Sequence, residues 1–456
     1  MKKQLSQIAK WLEKDLDQHL DVIVTGVSIN TKTLHPGDLF IPFKGERVNG
    51  HQYVQQAFSQ GASAALWQSD EPNPPSDLPI ILVEDCEKAL QQMARLYRSE
   101  HQATFIGITG SNGKTSTKDL VAGVLSPFFR VQKTAGNFNN NLGLPLTILD
   151  LDEETEFAIL EMGMSGFGEI EFLSHLAEPH YVVITNIGEA HMQDLGSRSG
   201  IAKAKFEIVE GLQTGGKLFF DGDEPLLEPF VKTFEGEAVS FGYEQTNALS
   251  ALNIQATEKG SQFDVTGLLT GSYSIPVLGK HQVKNALVAI LIAHEAGLSS
   301  EQIHQSLAQV SLTDMRMQVI PASNEALFIN DAYNAAPTSM KAALEFLTDS
   351  KIRPEKWVVL GDMLELGDNE KQFHQEVAKF LPIESIQGIC LYGSRMKHLY
   401  EDLQNDWPED RLLWSETNYE PIIQKLREET SSNSMILVKG SRGMALEKVI
   451  EPFKEI

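Results

Sequence analysis

Cysteine is nearly absent from this sequence of 456 residues, which has only Cys86 and Cys390. Two thiols that lie so far apart in the chain exclude a disulfide framework and a site built from several thiolate metal ligands. We expect both to be small, buried apolar side chains.

Long hydrophobic runs are also missing. No stretch approaches the run of about 18 apolar residues that a membrane-spanning helix needs. The first residues soon reach Glu13, Lys14 and Asp15, so they lack the apolar segment of a secretory signal. We therefore expect a cytoplasmic protein without a membrane span.

Basic residues are few: 38 Lys and Arg stand against 62 Asp and Glu, a formal net charge of −24. Binding to a nucleic-acid backbone needs a large basic face, so this composition argues against a nucleic-acid partner. An anionic ligand must instead be held by a few local cations and backbone N–H groups. Lys114, Arg316 and Arg442 are the candidate cations.

The sequence does contain alternating strand and helix patterns, which predict an α/β fold with three domains. We place the boundaries at 1–100 for a small α/β domain, 101–312 for a central domain with a mostly parallel sheet, and 313–456 for a Rossmann-like domain. Short alternating runs between residues 216 and 279 predict an antiparallel patch at one edge of the central sheet.

A glycine-rich loop lies in the central domain, where residues 107–116 read Gly-Ile-Thr-Gly-Ser-Asn-Gly-Lys-Thr-Ser. It follows an apolar run and precedes residues with helical spacing, which is the strand–loop–helix setting of a phosphate-binding loop. Its N–H groups can surround a polyphosphate, Lys114 can reach the outer phosphates, and Thr115 can hold Mg²⁺. Ile108 stands where a standard loop has glycine. We predict binding of ATP or GTP.

Polar residues follow two further predicted strands of this domain. Glu161 comes directly after an apolar run, and His191 ends the loop after another. Because the carboxyl ends of parallel strands meet at one edge of a sheet, we favour Mg²⁺ binding by both over an exposed loop position. Lys203 and Lys205, by the residues alone, read as the exposed face of a helix.

Three other features each leave two interpretations open. Arg316 either stabilises a γ-phosphate or forms an interdomain salt bridge. In the run from Asn330 to Pro337, Asp331 could bind a ribose and Tyr333 or Asn334 a base, or the run is a turn with side-chain-to-backbone hydrogen bonds. The asparagine-rich run 137–143 either binds a sugar or peptide or is a structural loop.

These motifs together resemble the Mur ligases over essentially the whole chain. The resemblance rests on the loop 109–115 and on residues 136–147, 331–340 and 360–367. It implies an ATP-dependent, amide-forming enzyme of peptidoglycan precursor synthesis. The last three runs resemble the branch that joins D-alanyl-D-alanine to UDP-N-acetylmuramoyl-tripeptide through an acyl phosphate. A folylpolyglutamate synthetase is the nearest alternative enzyme, and a P-loop switch or transport ATPase is an alternative of another class.

The resemblance also implies the site residues. Those for ATP are Thr109, Gly110, Ser111, Asn112, Gly113, Lys114, Thr115, Ser116, Asn285, Arg316, Asp331, Tyr333 and Asn334. Those for the UDP substrate are Asn30, Thr31, Phe43, Lys44, Gly45, Arg47, His51, Asn137, Asn139 and Asn140. The carboxylate of the incoming dipeptide is expected at Ser441 and Arg442. In its first domain the family binds the uridine diphosphate.

Catalysis and metal binding are implied in the same way. The catalytic residues expected are Lys114, Glu161, His191, Lys205 and Arg316. Two Mg²⁺ ions are expected, with the ligands Thr115, Glu161, His191 and Lys205. In this resemblance Lys205 carries a carbamate that helps to hold the second ion, which replaces its interpretation as an exposed lysine. We expect the enzyme to be a monomer.

Overall fold

The computed structural model describes residues 1–16, 21–45, 48–189 and 192–454. Within these residues the strands form four sheets. Backbone contacts divide the chain into two compact units. Unit one is Met1–Lys114, Leu125–Ile187 and His191–Val239, and unit two is Thr115–Val124, Gly188–Ala190 and Ser240–Ile456. The predicted α/β fold is confirmed, whereas the boundaries of the three predicted domains stay a prediction.

The N-terminal segment has a small parallel sheet. Its elements are β1 (Lys3–Gln4), α1 (Leu5–Trp11), β2 (Ile23–Val24), β3 (Gly26–Ser28), β4 (Asp38–Phe40), α2 (Val54–Ser59), β5 (Ala64–Gln68), β6 (Ile80–Val83) and α3 (Cys86–Glu100). Strands β3, β4, β5 and β6 pair in this order, all parallel, and β1 pairs with β2 antiparallel. Helix α3 begins after Asp85, whose carboxylate accepts from the N–H groups of Glu87 and Lys88.

The central segment carries the largest sheet. Its elements are β7 (Thr104–Thr109), α4 (Lys114–Leu125), β8 (Val131–Lys133), α5 (Gly143–Leu149), β9 (Phe157–Glu161), α6 (Glu169–Ala177), β10 (Tyr181–Ile184), α7 (Met192–Leu195), α8 (Arg198–Phe206), β11 (Lys217–Asp221), α9 (Glu228–Val231), β12 (Glu237–Gly242), β13 (Leu249–Thr257), β14 (Gly260–Gly267), β15 (Gly271–Ile275), α10 (Lys280–Glu295) and α11 (Ser300–Leu307). The strand order is β15-β14-β13-β12-β11-β10-β7-β9-β8. Strands β8, β9, β7, β10 and β11 are parallel, and β12 pairs in parallel with β13. The antiparallel edge predicted for residues 216–279 is confirmed only for β13, β14 and β15.

The C-terminal segment forms a second doubly wound sheet. Its elements are β16 (Gln318–Pro321), β17 (Leu327–Asn330), α12 (Pro337–Asp349), β18 (Glu355–Gly361), α13 (Glu370–Glu376), β19 (Gly388–Tyr392), α14 (Lys397–Leu403), β20 (Leu412–Ser415), α15 (Glu420–Glu429), β21 (Ser434–Lys439) and α16 (Glu447–Ile450). The order is β16-β17-β21-β18-β19-β20, parallel except for β16. The sequence pattern does not reveal β16 and β20, because these edge strands are only partly buried.

Short 3-10 helices join several of these elements, at Gly50–Tyr53, Glu207–Val209, Gly367–Asn369, Val377–Phe380, Glu409–Arg411, Arg442–Met444 and Glu451–Phe453. Among the described residues, no helix is long and apolar enough to cross a bilayer. Cys86 and Cys390 are buried free thiols, as predicted, and burial raises the pKa of each to about 12.

The main core of unit one joins the first sheet to the central one. A single cluster of buried apolar side chains includes Leu90 and Met93 of α3 together with Phe105 of β7 and Leu173 of α6. The core therefore continues across the boundary predicted at residue 100.

Arg98, near the C-terminal end of α3, is a buried cation beside this core. Its side chain is 4% exposed and donates to the carbonyl oxygens of Ala177 at 2.5 Å and Glu178 at 2.7 Å. Its guanidinium lies over the ring of Phe105, 3.8 Å from the centroid. Arg98 thus caps the C-terminal end of α6, where free carbonyl groups favour a cation.

We predict that Arg98→Met destabilises the protein by about 2 kcal/mol, because two buried carbonyl groups lose their donor. Arg95→Met is the matched control, since Arg95 lies on the same helix and is exposed. Urea unfolding followed by circular dichroism measures the difference. Equal midpoints for the two variants would contradict this role of Arg98.

Candidate active site

Three parallel strands of unit one bring the predicted site together. Ile108 of β7 pairs with Glu161 of β9, and Thr109 pairs with Ile184 of β10. The glycine-rich loop, Glu161 and the loop after β10 therefore leave the sheet at the same edge. This is the ligand-binding edge of an open α/β sheet.

Gly110 can be replaced by no other residue without moving this loop. Its φ is 152°, and a Cβ atom there would lie 1.8 Å from Oγ1 of Thr185. Gly113 also has a positive φ, of 82°. Glycine thus lets the backbone curl tightly against β10 before α4 begins.

Thr185 and Asn186, which follow β10, hold this loop in place. Asn186 Oδ1 accepts from the N–H of Asn112 at 3.0 Å, and its Nδ2 donates to the carbonyl oxygen of Asn112 at 2.9 Å. Thr185 Oγ1 donates to the same carbonyl oxygen at 2.6 Å. The N–H of Ser111 donates to the carbonyl oxygen of Asn186. The loop conformation is thus fixed by hydrogen bonds to the neighbouring strand end.

The loop also carries polar groups suited to an anion. Nζ of Lys114 donates to the carbonyl oxygen of Gly110 at 2.8 Å. Oγ1 of Thr109 and Oγ of Ser111 are buried and have no hydrogen-bond partner among the described residues. A buried hydroxyl without a partner is costly, and phosphate oxygens would satisfy both groups.

Glu161 is buried at the end of β9, with 4% of its surface exposed. Its Oε1 accepts from Nδ2 of Asn139 at 3.0 Å, and its N–H donates to Oγ1 of Thr134 at 3.0 Å. A fixed carboxylate of this kind is a suitable ligand for Mg²⁺. The other predicted ligand from a strand end, His191, lies outside the described residues.

The structure distinguishes the two lysines of α8. Lys203 is exposed, whereas Lys205 is only 2% exposed. Burial, together with the nearby charge of Lys114, holds the pKa of Lys205 well below its ordinary value. No carboxylate of the described residues pairs with it. The interpretation of Lys205 as a solvent-exposed lysine is therefore wrong.

In unit two, the first turn of α4 is joined to the nucleotide residues predicted further along the chain. Nη2 of Arg316 donates to Oγ1 of Thr115 at 3.1 Å, and its guanidinium lies 4.0 Å from the ring centroid of Tyr333. Nε of Arg316 is buried without a hydrogen-bond partner, and no carboxylate of the described residues forms an ion pair with Arg316. This geometry favours a ligand-binding role for Arg316 over a salt bridge.

Asn285 also belongs to this group. Its Nδ2 donates to Oε1 of Gln282 at 3.1 Å, and Nε2 of Gln282 donates to Oγ of Ser116 at 3.4 Å. A chain of side chains thus connects α10 with the first turn of α4. Gln282, which the sequence analysis did not select, is the middle member.

The run after β17 has the hydrogen bonds of a structural turn, and its binding of a nucleotide stays a prediction. Asp331 pairs with the buried Lys439 at 2.5 Å and accepts from the N–H of Met317, while Nζ of Lys439 also donates to the carbonyl oxygen of Asn334. Asn334 Oδ1 accepts from the N–H of Ala335, which is a side-chain-to-backbone turn bond. Tyr333 nevertheless lies against Arg316, so the turn places an aromatic ring beside a cation.

The predicted UDP residues of the first segment lie outside the strands of the small sheet, in the connections between them. Asn30 Oδ1 accepts from the N–H of Lys32, and Lys44 is exposed and pairs with Asp70 at 2.7 Å and Glu71 at 3.0 Å. Thr31 and Phe43 are partly buried and Gly45 is exposed, whereas Arg47 lies outside the described residues.

His51 is buried in the 3-10 helix Gly50–Tyr53, and both of its ring nitrogens are engaged. The Nδ1 atom bonds Asn49 Oδ1 at 2.8 Å, and Nε2 accepts from the N–H of Gln68 at 3.1 Å. A backbone N–H can only donate, so the ring carries its proton on Nδ1. Burial lowers the pKa of His51, which favours this neutral form.

Three members of the asparagine-rich run have structural partners. Asn139 bonds Glu161, and Nδ2 of Asn141 donates to Oε1 of Glu87 at 2.5 Å. Oδ1 of Asn140 accepts from the N–H groups of Leu142 and Gly143 at the start of α5. Asn137 is exposed. The structural interpretation of the run therefore holds for Asn139 and Asn140, and their binding of a substrate stays a prediction.

Ser441 and Arg442 follow β21 in the C-terminal sheet. Ser441 is 4% exposed, and its Oγ accepts from the N–H of Leu364 at 2.9 Å. Arg442 is exposed, and its Nη1 lies 2.8 Å from a carboxylate oxygen of Glu447. The structure thus places a buried hydroxyl beside an accessible cation.

Comparisons with known proteins agree with this geometry. The sequence matches the Mur ligase middle domain over residues 108–293, the Mur ligase glutamate ligase domain over 315–442, and the Mur ligase family catalytic domain over 23–98. A UDP-N-acetylmuramoyl-tripeptide–D-alanyl-D-alanine ligase of Bacillus subtilis is 42% identical over 457 residues, which cover 100% of this chain and 99% of that protein. The chain belongs to the Mur ligase family.

Solved Mur ligase structures have the same fold. A crystal structure of MurF from Acinetobacter baumannii has a TM-score of 0.86 and 27% identity, and the match covers 99% of this chain and 98% of that one. The MurF ligase of Thermotoga maritima in complex with ADP has a TM-score of 0.82 and 26% identity, with 96% and 98% covered. The predicted three-domain Mur ligase architecture is confirmed.

Some residues of this Mur ligase site were missed by the sequence analysis. Thr185 and Asn186 stand directly after a predicted strand, which is a signal that could have identified them. Lys439 carries the same signal, because it follows the apolar run 435–438. Thr134 and Gln282 carry no such local signal, because their partners Glu161 and Ser116 are distant in sequence.

We predict that Asn186→Ala raises the dissociation constant for ATP about tenfold, because Asn112 loses one donor and one acceptor in the loop. Isothermal titration calorimetry with a non-hydrolysable ATP analogue measures the change. Asn137→Ala, at an exposed asparagine outside the loop, should bind the analogue like the wild type. Unchanged affinity in Asn186→Ala would show that Asn186 does not hold the loop in its binding conformation.

Proposed function

We propose that this Mur ligase uses ATP to join D-alanyl-D-alanine to UDP-N-acetylmuramoyl-tripeptide in peptidoglycan precursor synthesis. The observation that carries the proposal is the 42% identity over the whole chain to a ligase with this name. The fixed glycine-rich loop with Lys114 supports it, since it supplies the phosphate site that the reaction needs.

The chemistry follows from the charges involved. The terminal carboxylate of the tripeptide attacks the γ-phosphorus of ATP, and the bond to the β-phosphate oxygen breaks, which yields ADP and an acyl phosphate. Two anions must approach each other in this step, and Lys114 and the N–H groups of the loop reduce their repulsion. The amine of the dipeptide then attacks the acyl carbon, and inorganic phosphate leaves as the amide forms.

Arg316 has the chemical groups to assist this transfer. Its Nε is buried and has no hydrogen-bond partner in the described part of the chain, and its guanidinium lies against the ring of Tyr333. In this proposal Arg316 binds phosphate oxygens, with Asn285, Asp331 and Asn334 as further nucleotide contacts. The exposed Arg442, beside Ser441, binds the carboxylate of the dipeptide.

Mg²⁺ is part of the proposal, and the donor set fits it. Glu161 offers a buried carboxylate at the end of β9, and oxygen ligands suit this ion. Thr115 and His191 remain ligands predicted from the sequence. When bound, Mg²⁺ neutralises phosphate charge and polarises the phosphoryl group.

Lys205 fits a carbamate ligand for a second ion. A lysine amine reacts with CO₂ only when it is unprotonated, and the lowered pKa of Lys205 favours this form. The reaction adds CO₂ to the amine and releases one proton, so the product is an anionic oxygen ligand. Among the described residues, no carboxylate forms an ion pair with Lys205. An ion pair of this kind would stabilise the protonated amine, which does not react with CO₂.

The remaining parts of the proposal come from the sequence. The proposal includes the predicted domain boundaries and the predicted UDP contacts. It also includes a monomeric state and a cytoplasmic location. A switch or transport ATPase is not favoured, because the relatives at full length are ligases by name.

Phosphate release tests the function directly. With ATP, UDP-N-acetylmuramoyl-tripeptide and D-alanyl-D-alanine present, we expect release to continue through many turnovers, and omission of any one should abolish it. Equal turnover without the dipeptide would identify an ATPase and reject the ligase. Mass spectrometry of the product should show the pentapeptide.

Carbon-13 NMR tests the carbamate. Protein incubated with ¹³C-bicarbonate should show a carbamate resonance that is lost in Lys205→Arg, because arginine has no reactive amine. Lys203→Arg is the matched control on the exposed side of the same helix and should keep the resonance. A resonance that persists in Lys205→Arg would place the carbamate on another amine.

A further inference from the structure

The run Leu360–Gly367 has no part in the nucleotide chemistry described above, although it is one of the distinctive runs of the sequence. It begins at the end of β18, which pairs in parallel with β21. Leu360 lies opposite Lys439 in this pairing. The loop after β18, residues 362–364, therefore leaves the sheet beside the loop that carries Ser441 and Arg442.

Two hydrogen bonds join these loops directly. The N–H of Ser441 donates to the carbonyl oxygen of Asp362 at 3.0 Å, and the N–H of Leu364 donates to Oγ of Ser441 at 2.9 Å. Both the backbone and the hydroxyl of Ser441 are thus held by loop 362–364. Since Ser441 is 4% exposed, its position depends on where this loop lies.

His374, on α13, holds the same loop from the opposite side. Its Nε2 accepts from the N–H of Met363 at 3.0 Å, and its Nδ1 lies 2.7 Å from the carbonyl oxygen of Glu370. The N–H can only donate and the carbonyl oxygen only accept, so the ring is neutral with its proton on Nδ1. His374 is fully buried, and burial lowers its pKa, which favours this neutral form.

Asp362 fixes the start of the loop. Its carboxylate accepts from the N–H of Met396 at 2.8 Å and from that of Arg395 at 3.2 Å, before α14. The three consecutive residues Asp362, Met363 and Leu364 are therefore bonded to three different elements. Such a loop has little freedom to move unless one of these bonds is removed.

We infer that His374 is a positioning residue for the incoming dipeptide. Through Met363 it holds loop 362–364 against Ser441, and so it sets the position of Ser441 and Arg442 where the dipeptide carboxylate binds. His374 is buried and contacts no substrate itself. This inference rests on the proposed function of Ser441 and Arg442.

The test is the KM for D-alanyl-D-alanine, measured at saturating ATP and UDP-N-acetylmuramoyl-tripeptide. His374→Asn keeps a donor near Nδ1 but loses the acceptor for Met363, and we expect KM to rise about tenfold. His374→Gln places an amide oxygen near the Nε2 position, so its KM should stay within about threefold of the wild type. The KM for ATP should be unchanged in both variants, which also shows that they are folded.

Asp362→Asn is a second variant in case His374→Asn does not fold. It keeps an acceptor for one of the two N–H groups of Arg395 and Met396, and we expect about a threefold rise in the KM for the dipeptide. An unchanged KM in His374→Asn, or an equal rise in His374→Gln and His374→Asn, would overturn the inference. If His374→Asn does not fold, an unchanged KM in Asp362→Asn would overturn it.

Arg442→Met separates this inference from the proposed function. If it raises the KM for D-alanyl-D-alanine while His374→Asn does not, the dipeptide site stands and the role of His374 is rejected. If Arg442→Met has no effect and His374→Asn raises KM, the inference stands for Ser441 alone and Arg442 is removed from the dipeptide site. If neither variant has an effect, both assignments fail.

Discussion

The parallel alignment of β7, β9 and β10 is the constraint on which the site in unit one depends. It places the ends of the three strands at one edge of the sheet, so that the glycine-rich loop, Glu161 and the residues after β10 become neighbours. The backbone curl at Gly110 is compatible with this alignment only without a side chain. An α/β sheet thereby makes a phosphate site from residues that are far apart in sequence.

A protein with a net charge of −24 must bind ATP and a carboxylate with cations placed locally. The structure does so by burying a few polar groups. Arg316 keeps a buried Nε that has no hydrogen-bond partner among the described residues. Lys205 is not one of these cations, because burial holds its pKa well below the ordinary value and so disfavours its charged form. Desolvation strengthens each interaction with an anionic ligand, because the effective dielectric constant is lower than in water.

Polar side chains with fixed positions also follow the parallel strands of the C-terminal sheet in unit two. Asp331, Asp362 and Ser441 follow the parallel strands β17, β18 and β21. Each of these polar groups is held by backbone or charged partners, as the partly buried Asp331 is by Lys439. A carboxylate or hydroxyl fixed in this way keeps its position, and the loops at this sheet edge support one another. The sheet therefore fixes where these side chains lie, and their residue types decide which groups they can bind.

The sequence by itself determined the α/β class, most central strands, the glycine-rich loop and the family. These features depend on local residue identity: apolar runs, glycines that allow a tight curl, and motifs whose members are consecutive. Only the tertiary structure decided that Lys205 is buried while Lys203 is exposed, that His51 and Asn140 are engaged structurally, and that His374 bonds the N–H of Met363. Burial and hydrogen-bond partners depend on segments distant in the chain, which local patterns do not specify.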